Sequence, residues 1–283
     1  MSKNINKKKY KICSEAFPPN AKGERQQLLS LSSCHDLLDG IKLDQNNIIY
    51  KALTKNNLME VKNLHKEWFP IEYDDDFFDR VFKNEYGNYF SIGAFYTINN
   101  DINNENKEII LGLALCEWEC ISENLIDHIN SKAIEEMHRN LNLNEKIQAC
   151  LKCDYYHCVY IMTIGVLDEY RQMHIGSKII DNIYQIALKD DICLGIYLDV
   201  ICYNKSAIKF YEKNNFEKVK EIKDYYDLNG KKYDSNVYLR IITREEKDVY
   251  KINNETHYSK SINKCIIKPI NFIFTLLFKC FRK

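Results

Sequence analysis

The stretch DEYRQMHIGSKII, residues 168–180, holds the densest chemistry in the chain. A charged turn ends at Arg171, Gly176 and Ser177 follow, and an apolar pattern of helical spacing begins. Such a turn leaves backbone N–H groups open at a helix start, where the helix dipole also favours negative charge. Open N–H groups at a helix N-terminus form an anion site, and pyrophosphate is its usual occupant. Taken alone, the motif also fits an ordinary strand–helix connection. A second cluster, CLKCDYYHC, brings Cys150, Cys153, His157 and Cys158 within nine residues. A zinc site needs a second ligand pair farther along to close its tetrahedron. No such pair is suitably spaced, so no metal is expected.

The elements that must position these residues can be read from period and punctuation. IIYKAL reads as a strand, and TKNNLMEVKNLHKEW as a helix, with Leu58, Val61 and Leu64 on one face and Thr54 as a cap. Pro70 in WFPIEY ends that helix, and DDDFFDRVF starts another with acids at its N-terminus. NYFSIGAFYTI and EIILGLALCEWE form a hairpin pattern around an Asn-rich turn. Residues 121–155 are polar, carry helical stretches and read as an insertion. HCVYIMTIGV is a strand apolar enough to be buried on both faces. Helix IGSKIIDNIYQIAL, strand LGIYLDVIC, helix NKSAIKFYEKN and strand FEKVKEI follow, then an aromatic loop, KDYYDLNGKKYD, and strand SNVYLRII. The order predicts a mixed α/β sheet flanked by helices.

The chain has 283 residues, enough for a sizeable core, and 45% hydrophobic with 28% charged residues reads as globular. The zero formal net charge gives no argument for a nucleic-acid partner, and none is expected. The N-terminus lacks an apolar h-region, so the first segment is expected in the cytosol, with the eleven cysteines as reduced thiols. Residues 1–46 read as poorly organised apart from a helix within ERQQLLSLSSCHDLLDGI, and residues 243–263 read as a linker.

Residues 264–283 change character. They carry Lys264, Lys268, Lys279, Arg282 and Lys283 with no acid, around Phe272, Ile273, Phe274, Leu276, Leu277 and Phe278. From Pro269 the apolar run spans roughly 22 Å as a helix, short of a ~30 Å hydrocarbon core. A C-terminal core helix is one reading. A membrane-surface or shallowly inserted anchor is the favoured one, because almost no polar face is left for water and the basic residues would attract anionic lipids. Cys265 and Cys280 are candidates for acylation, a weaker expectation.

The two stretches VYIMTIGVLDEYRQMHIGSKII and IYLDVICYNKSAIKFYEKNNF together resemble the coenzyme A core of the GNAT acetyltransferases. The family pattern, Arg/Gln-x-x-Gly-x-Gly/Ala, is matched at Arg171 and Gly176 and departs at His174, where the family has glycine. WFPIEY with its acidic helix start, VYIMTIGV, and YYDLNG after the last helix narrow the resemblance to the N-terminal acetyltransferase F family, the membrane-bound group of N-terminal acetyltransferases. It covers residues 47–242 with the insertion skipped, and the apolar basic tail fits it. The resemblance implies a GNAT fold with a mixed, mostly antiparallel sheet, a helical insertion and a C-terminal membrane-associated helix. It implies acetyl transfer from acetyl-CoA to free protein N-termini, membrane proteins with cytosolic N-termini included. The enzyme would work on the cytosolic face of the Golgi or another secretory-pathway membrane, tethered to lipids by its tail.

Site roles follow by matching position. Ile164, Gly165 and Val166 would pair with the pantetheine arm, and Arg171, Gln172, Met173, His174, Ile175, Gly176 and Ser177 would hold the pyrophosphate. Asn204, Tyr211, Glu212, Lys213 and Asn214 would complete the coenzyme site, with Tyr211 near the thioester sulfur. Phe69, Pro70, Glu72, Tyr73, Tyr225 and Tyr226 would line the peptide site, and backbone N–H groups near Met162 would serve the oxyanion. The family's base pair is a tyrosine, matched by Tyr160, and a histidine, whose position holds Asp199. Either Asp199 takes the proton through water, or Tyr160 acts with water alone, or the site is inactive. Two alternatives stand beside this reading: a lysine acetyltransferase of the same fold, and a catalytically weakened acyl-CoA-binding membrane scaffold.

Overall fold

Val61, Leu64 and His65 repeat at helical spacing, and the chain folds them inward on α1 (Leu58–Trp68). Thr54 shares a capping box with Asn57 in the short turn just ahead. Helix α2 (Asp75–Lys83) starts where Asp74 accepts the Phe77 N–H at 2.8 Å and stops at Asn84, which takes a left-handed conformation. The computed structural model describes residues 43–258 apart from 86, 101–104, 123–154, 192 and 229. The expected helix at 24–41, the apolar basic tail and the insertion, except for its ends at 121, 122 and 155, therefore lie outside the described residues.

Seven strands form one sheet: β1 (Ile48–Lys51), β2 (Tyr89–Asn100), β3 (Glu105–Ser122), β4 (Tyr155–Val166), β5 (Cys193–Ile201), β6 (Glu217–Leu228) and β7 (Lys231–Ile241). Their order is β1-β2-β3-β4-β5-β7-β6. Only β4 and β5 run parallel, as their connection through helix α3 (Ile175–Leu188) requires. Helix α4 (Lys205–Lys213) links β5 to β6. The mixed, mostly antiparallel sheet flanked by helices is the architecture the sequence predicts.

The sheet divides its side chains by alternation. Val159 and Ile161 of β4 join the main core with α1, α2 and α3, whereas Cys158 and Tyr160 face a second cluster with Tyr197, Val237 and Leu239. Helix α3 buries Ile175, Ile179, Ile180, Ile183, Ala187 and Leu188. Each fully buried isoleucine is worth about 1.5–3 kcal/mol. Ile175, the first helical residue, is among them, so the turn before it is nailed to the core.

Two segments differ from expectation. The aromatic stretch read as a loop is sheet: β6 runs to Leu228 and β7 begins at Lys231. The break is an irregularity between Ile222 and Tyr226, where three residues face Asp234 alone. Asp224 sits there at φ 53°, and Asp234 accepts its N–H at 3.0 Å and a Lys223 ammonium at 2.8 Å. The segment read as a linker from 243 contains helix α5 (Arg244–Tyr258). Its Lys247 is buried and donates to the carbonyls of Asp190, Asp191 and Cys193, which ties α5 to the end of α3. A lone lysine in a polar stretch carries no sequence signal that it will find three carbonyls.

Candidate active site

The site begins where two strands part. β4 and β5 pair from His157↔Cys193 to Tyr160↔Tyr197, and the ladder goes no further. From Ile161 to Val166, β4 keeps β3 as its sheet neighbour and is no longer paired with β5. Register against β3 shifts at the same point, Cys116 opposing Ile161 and Leu115 opposing Thr163, so Met162 is the bulged residue. A bulge re-aims the backbone. It does so here at the residue expected to supply oxyanion donors. Ile164, Gly165 and Val166 lie on the parted segment. The Trp68 indole lies so close to Gly165 that a Cβ there would stand 2.2 Å from its Cε3, which only glycine permits.

Beyond Val166 comes the anion turn. Gln172 and His174 both take left-handed backbone, at φ 67° and φ 58°. His174 is the N-cap of α3, and its side chain makes no capping hydrogen bond. The first bond into the helix runs from the Lys178 N–H to the His174 carbonyl at 3.0 Å, so Ile175, Gly176 and Ser177 present the helix's leading N–H groups. A side chain at a left-handed position costs roughly 1–2 kcal/mol relative to glycine, which gives the departure at His174 a physical meaning. The Arg171 side chain folds back: Nη2 meets Asp168 at 2.6 Å and Nε donates to the Val166 carbonyl at 3.3 Å. It braces the turn, and any phosphate contact falls to the backbone and to the exposed Gln172 and His174. The carboxamide of Asn204 is likewise engaged, accepting the Ala207 N–H at 3.1 Å as the N-cap of α4. Tyr211 is buried with Phe216 and Tyr238, Glu212 accepts from the Tyr238 hydroxyl at 3.0 Å, and Asn214 donates to the Phe210 carbonyl at 2.7 Å. Lys213 is exposed at the end of α4.

Tyr160 and Asp199 come together. The Tyr160 hydroxyl donates to Asp199 Oδ2 at 3.1 Å, the Tyr225 hydroxyl to the same oxygen at 3.3 Å, and the Ser235 hydroxyl reaches Oδ1 at 3.5 Å. Burial raises the Asp199 carboxyl from 3.8 to about 6, against the lowering effect of the Tyr160 and Tyr225 hydrogen bonds; the charge of Glu119 raises it further. A carboxylate at that value is a far better base near neutrality than a solvated aspartate. Asp199 is therefore a carboxylate, hydrogen-bonded to Tyr160, that can take up a proton close to neutral pH.

Phe69 and Tyr73 flank the same region from the α1–α2 connection, their rings 5.9 Å apart. Tyr225 and Tyr226 come from the irregular part of β6, edge to face at 4.9 Å. Tyr73 is among the groups that raise the Tyr226 phenol, after burial, Asp199 and Tyr225, so the two aromatic pairs lie near one another across the site. Pro70 and Glu72 are exposed on the connection between α1 and α2.

Sequence reasoning missed His65, Thr163 and Glu119. His65 is buried in α1; its Nδ1–H donates to the Val61 carbonyl at 2.8 Å, which leaves Nε2 to accept from Thr163 Oγ1 at 3.1 Å. Burial lowers it from 6.5 to about 4, so it is neutral and pins the strand beside the Met162 bulge. Glu119 of β3 accepts from the Tyr197 hydroxyl, and the Tyr197 ring stacks on Tyr160 at 4.8 Å. Strand alternation from Asp199 points at Tyr197, but nothing in sequence gives the β3–β4 register that delivers Glu119. Of the cysteine–histidine cluster, His157 stacks on Trp118 and Cys158 faces the opposite side of β4 with Tyr160 and Tyr197, so these two cannot share a ligand; Cys150 and Cys153 lie outside the described residues.

Residues 58–216, more than half of the chain, match the acetyltransferase (GNAT) family. The histone acetyltransferase MCC1 of Arabidopsis thaliana is 23% identical over 195 residues, covering 69% of this chain and 70% of the relative. N-alpha-acetyltransferase 60 of Xenopus tropicalis is 26% identical over 193 residues, 68% of each. The fold is also that of the crystal structure of Arabidopsis thaliana NAA60 in complex with acetyl-CoA, at 24% identity and a TM-score of 0.52 over 69% of this chain and 98% of that one.

Proposed function

The chain belongs to the GNAT acetyltransferase family, and on that premise we propose that it transfers the acetyl group of acetyl-CoA to the free α-amino group of protein N-termini. One observation carries this reading: a tyrosine–aspartate hydrogen bond, with the aspartate raised to about 6, placed where two parallel strands part beside an uncapped helix N-terminus. The likeness to N-alpha-acetyltransferase 60 supports the α-amine as acceptor.

The parted edge of β4 offers backbone groups to an extended pantetheine arm, and the N–H groups from Ile175 to Ser177 offer a seat for its pyrophosphate. The α-amine, with a pKa of about 8, loses its proton through a water to Asp199, and Tyr160 and Tyr225 orient that carboxylate. The amine lone pair forms the new N–C bond to the thioester carbonyl. The oxyanion is met by backbone N–H groups at the Met162 bulge, and collapse breaks the C–S bond to release the thiolate of coenzyme A. Lysine acetylation asks more of the base: a lysine near 10.4 is poorly matched to an acceptor near 6. The α-amine suits it better, and a base so placed favours an enzyme over an acyl-CoA-binding scaffold.

The aromatic walls of Phe69, Tyr73, Tyr225 and Tyr226 suit an apolar first residue, Met followed by Lys, Leu or Val. The reading extends to place: the enzyme belongs to the N-terminal acetyltransferase F type, and its residues 264–283 hold it to lipids on the cytosolic face of the Golgi or a neighbouring membrane. The apolar, acid-free sequence of that tail supports this. The test is a peptide panel with acetyl-CoA. Peptides beginning Met-Lys, Met-Leu and Met-Val are acetylated well, and those beginning with Asp or Glu are not, because their carboxylate would be desolvated against the rings. Equal rates on both sets overturn the assignment of the walls.

A further inference from the structure

The second sheet face holds a group that the reaction above leaves unused. Glu119 projects from β3, opposite Cys158 of β4, and accepts a hydrogen bond from the Tyr197 hydroxyl. Tyr197 stands opposite Tyr160 in the last pair of the β4–β5 ladder, and the two rings stack at 4.8 Å and 24°. Tyr160 in turn donates to Asp199, two residues along from Tyr197 on the same strand face. The site thus contains two tyrosine–carboxylate pairs, back to back through stacked rings, at the point where the strands part.

We propose that Glu119 and Tyr197 are positioning residues for the transfer: Glu119 anchors Tyr197, Tyr197 fixes the plane of Tyr160, and the Glu119 carboxylate sets a standing negative field on the face that carries Asp199. The proposal rests on the acetyl-transfer reading and deepens it. A ring held by stacking alone is free to slide, and a phenol tied at its far end to a carboxylate on a neighbouring strand is not. A slack Tyr160 would miss Asp199, since a hydroxyl displaced by about 1 Å leaves hydrogen-bonding range. The field acts in the same direction as burial: Glu119 disfavours a second negative charge at Asp199, and Asp199 likewise raises Tyr197 after burial and Glu119. The other groups facing Asp199 are Tyr160 from β4, Tyr225 and Tyr226 from β6 and Ser235 from β7; Glu117 of β3 stands directly opposite Tyr160. All but Glu117 and Glu119 are hydroxyl groups, so the glutamates are the charges beside Asp199 in this set.

The experiment is the pH profile of kcat at saturating peptide and acetyl-CoA for Glu119→Gln, Glu119→Asp, Tyr197→Phe and Asp199→Asn. The unsubstituted enzyme shows an acid limb near pH 6. Glu119→Gln moves that limb to lower pH by about half a unit or more, lowers the plateau a few-fold and leaves the peptide KM unchanged. Glu119→Asp keeps the charge and returns the limb toward its original position. Tyr197→Phe keeps the stack and the charge but cuts the tether, so kcat falls a few-fold with the limb in place. A Glu119→Gln limb that coincides with that of the unsubstituted enzyme overturns the inference. An acid limb near pH 6 that survives in Asp199→Asn overturns instead the base assignment on which it rests.

Discussion

Replacing Asp199 with asparagine should weaken the enzyme and strengthen the fold. The carboxyl is partly buried, accepts from Tyr160 and Tyr225, and is raised from 3.8 to about 6 mainly by burial. A group raised on folding adds stability that is fully present below its unfolded value and is lost as pH rises through the folded one. For Asp199 that window runs from about 4 to about 6, so above pH 7 the ionised carboxylate weighs against folding. A span of roughly two pH units at ~1.4 kcal/mol each gives a burden on the order of 3 kcal/mol. Asparagine keeps the shape, accepts from the two tyrosines through its oxygen and turns its NH2 toward Ser235. Asp199→Asn should therefore gain about 1–3 kcal/mol at pH 8 and nothing at pH 4. Its kcat should fall about tenfold to a thousandfold, the upper end being typical of a lost general base. Urea denaturation at both pH values reads the first quantity, and release of free coenzyme A thiol at saturating substrates the second. A stability difference that does not change with pH would refute the desolvated carboxylate, and an unchanged kcat would make Asp199 a structural residue.

Three further outcomes follow from the same geometry. His174→Gly relieves the left-handed strain at the head of α3 and should gain roughly 1 kcal/mol in urea denaturation; calorimetry should show tighter acetyl-CoA binding unless the imidazole itself donates to phosphate, in which case affinity falls. His65 folds with its value lowered from 6.5 to about 4, so its contribution is present above pH 6.5 and is lost as pH falls toward 4. His65→Phe should flatten the stability profile across that window by up to about 3 kcal/mol relative to the unsubstituted protein. Deleting residues 264–283 should release the protein from sedimenting vesicles that contain anionic lipid while leaving acetylation of soluble peptides intact; continued sedimentation would move the anchor elsewhere in the chain.

Much of this was legible because period and punctuation survive in the sequence. The helix at 175–188 appears at the predicted bounds, since its apolar spacing and its preceding turn agree. Tyr160 and Asp199 could be paired through the resemblance to the GNAT acetyltransferases, which have a tyrosine and a histidine at these positions, and strand alternation set Asp199 on one face with Tyr197. The supporting charge on Glu119 was hidden. Its strand is separated from β4 by residues 123–154, so no turn fixes the register that sets Glu119 opposite Cys158. The irregularity that aims Tyr225 at Asp199 was hidden for a related reason: KDYYDLNG carries loop-like residues, and only Asp234 on the partner strand, accepting from Lys223 and from the Asp224 N–H, turns them into a bent strand. Helix α5 was hidden because its polar surface has little periodicity and its anchor, Lys247, works through backbone carbonyls.

The central claim is that the acceptor is an α-amino group. It is tested most directly with two peptides of one sequence, beginning Met-Leu and carrying an internal lysine, one with a free N-terminus and one with the terminus formylated. After incubation with acetyl-CoA, tandem mass spectrometry locates the acetyl group. The account predicts acetylation of the free peptide at its N-terminal amine and none of the formylated peptide. Modification of the internal lysine in both peptides at comparable rates would contradict it.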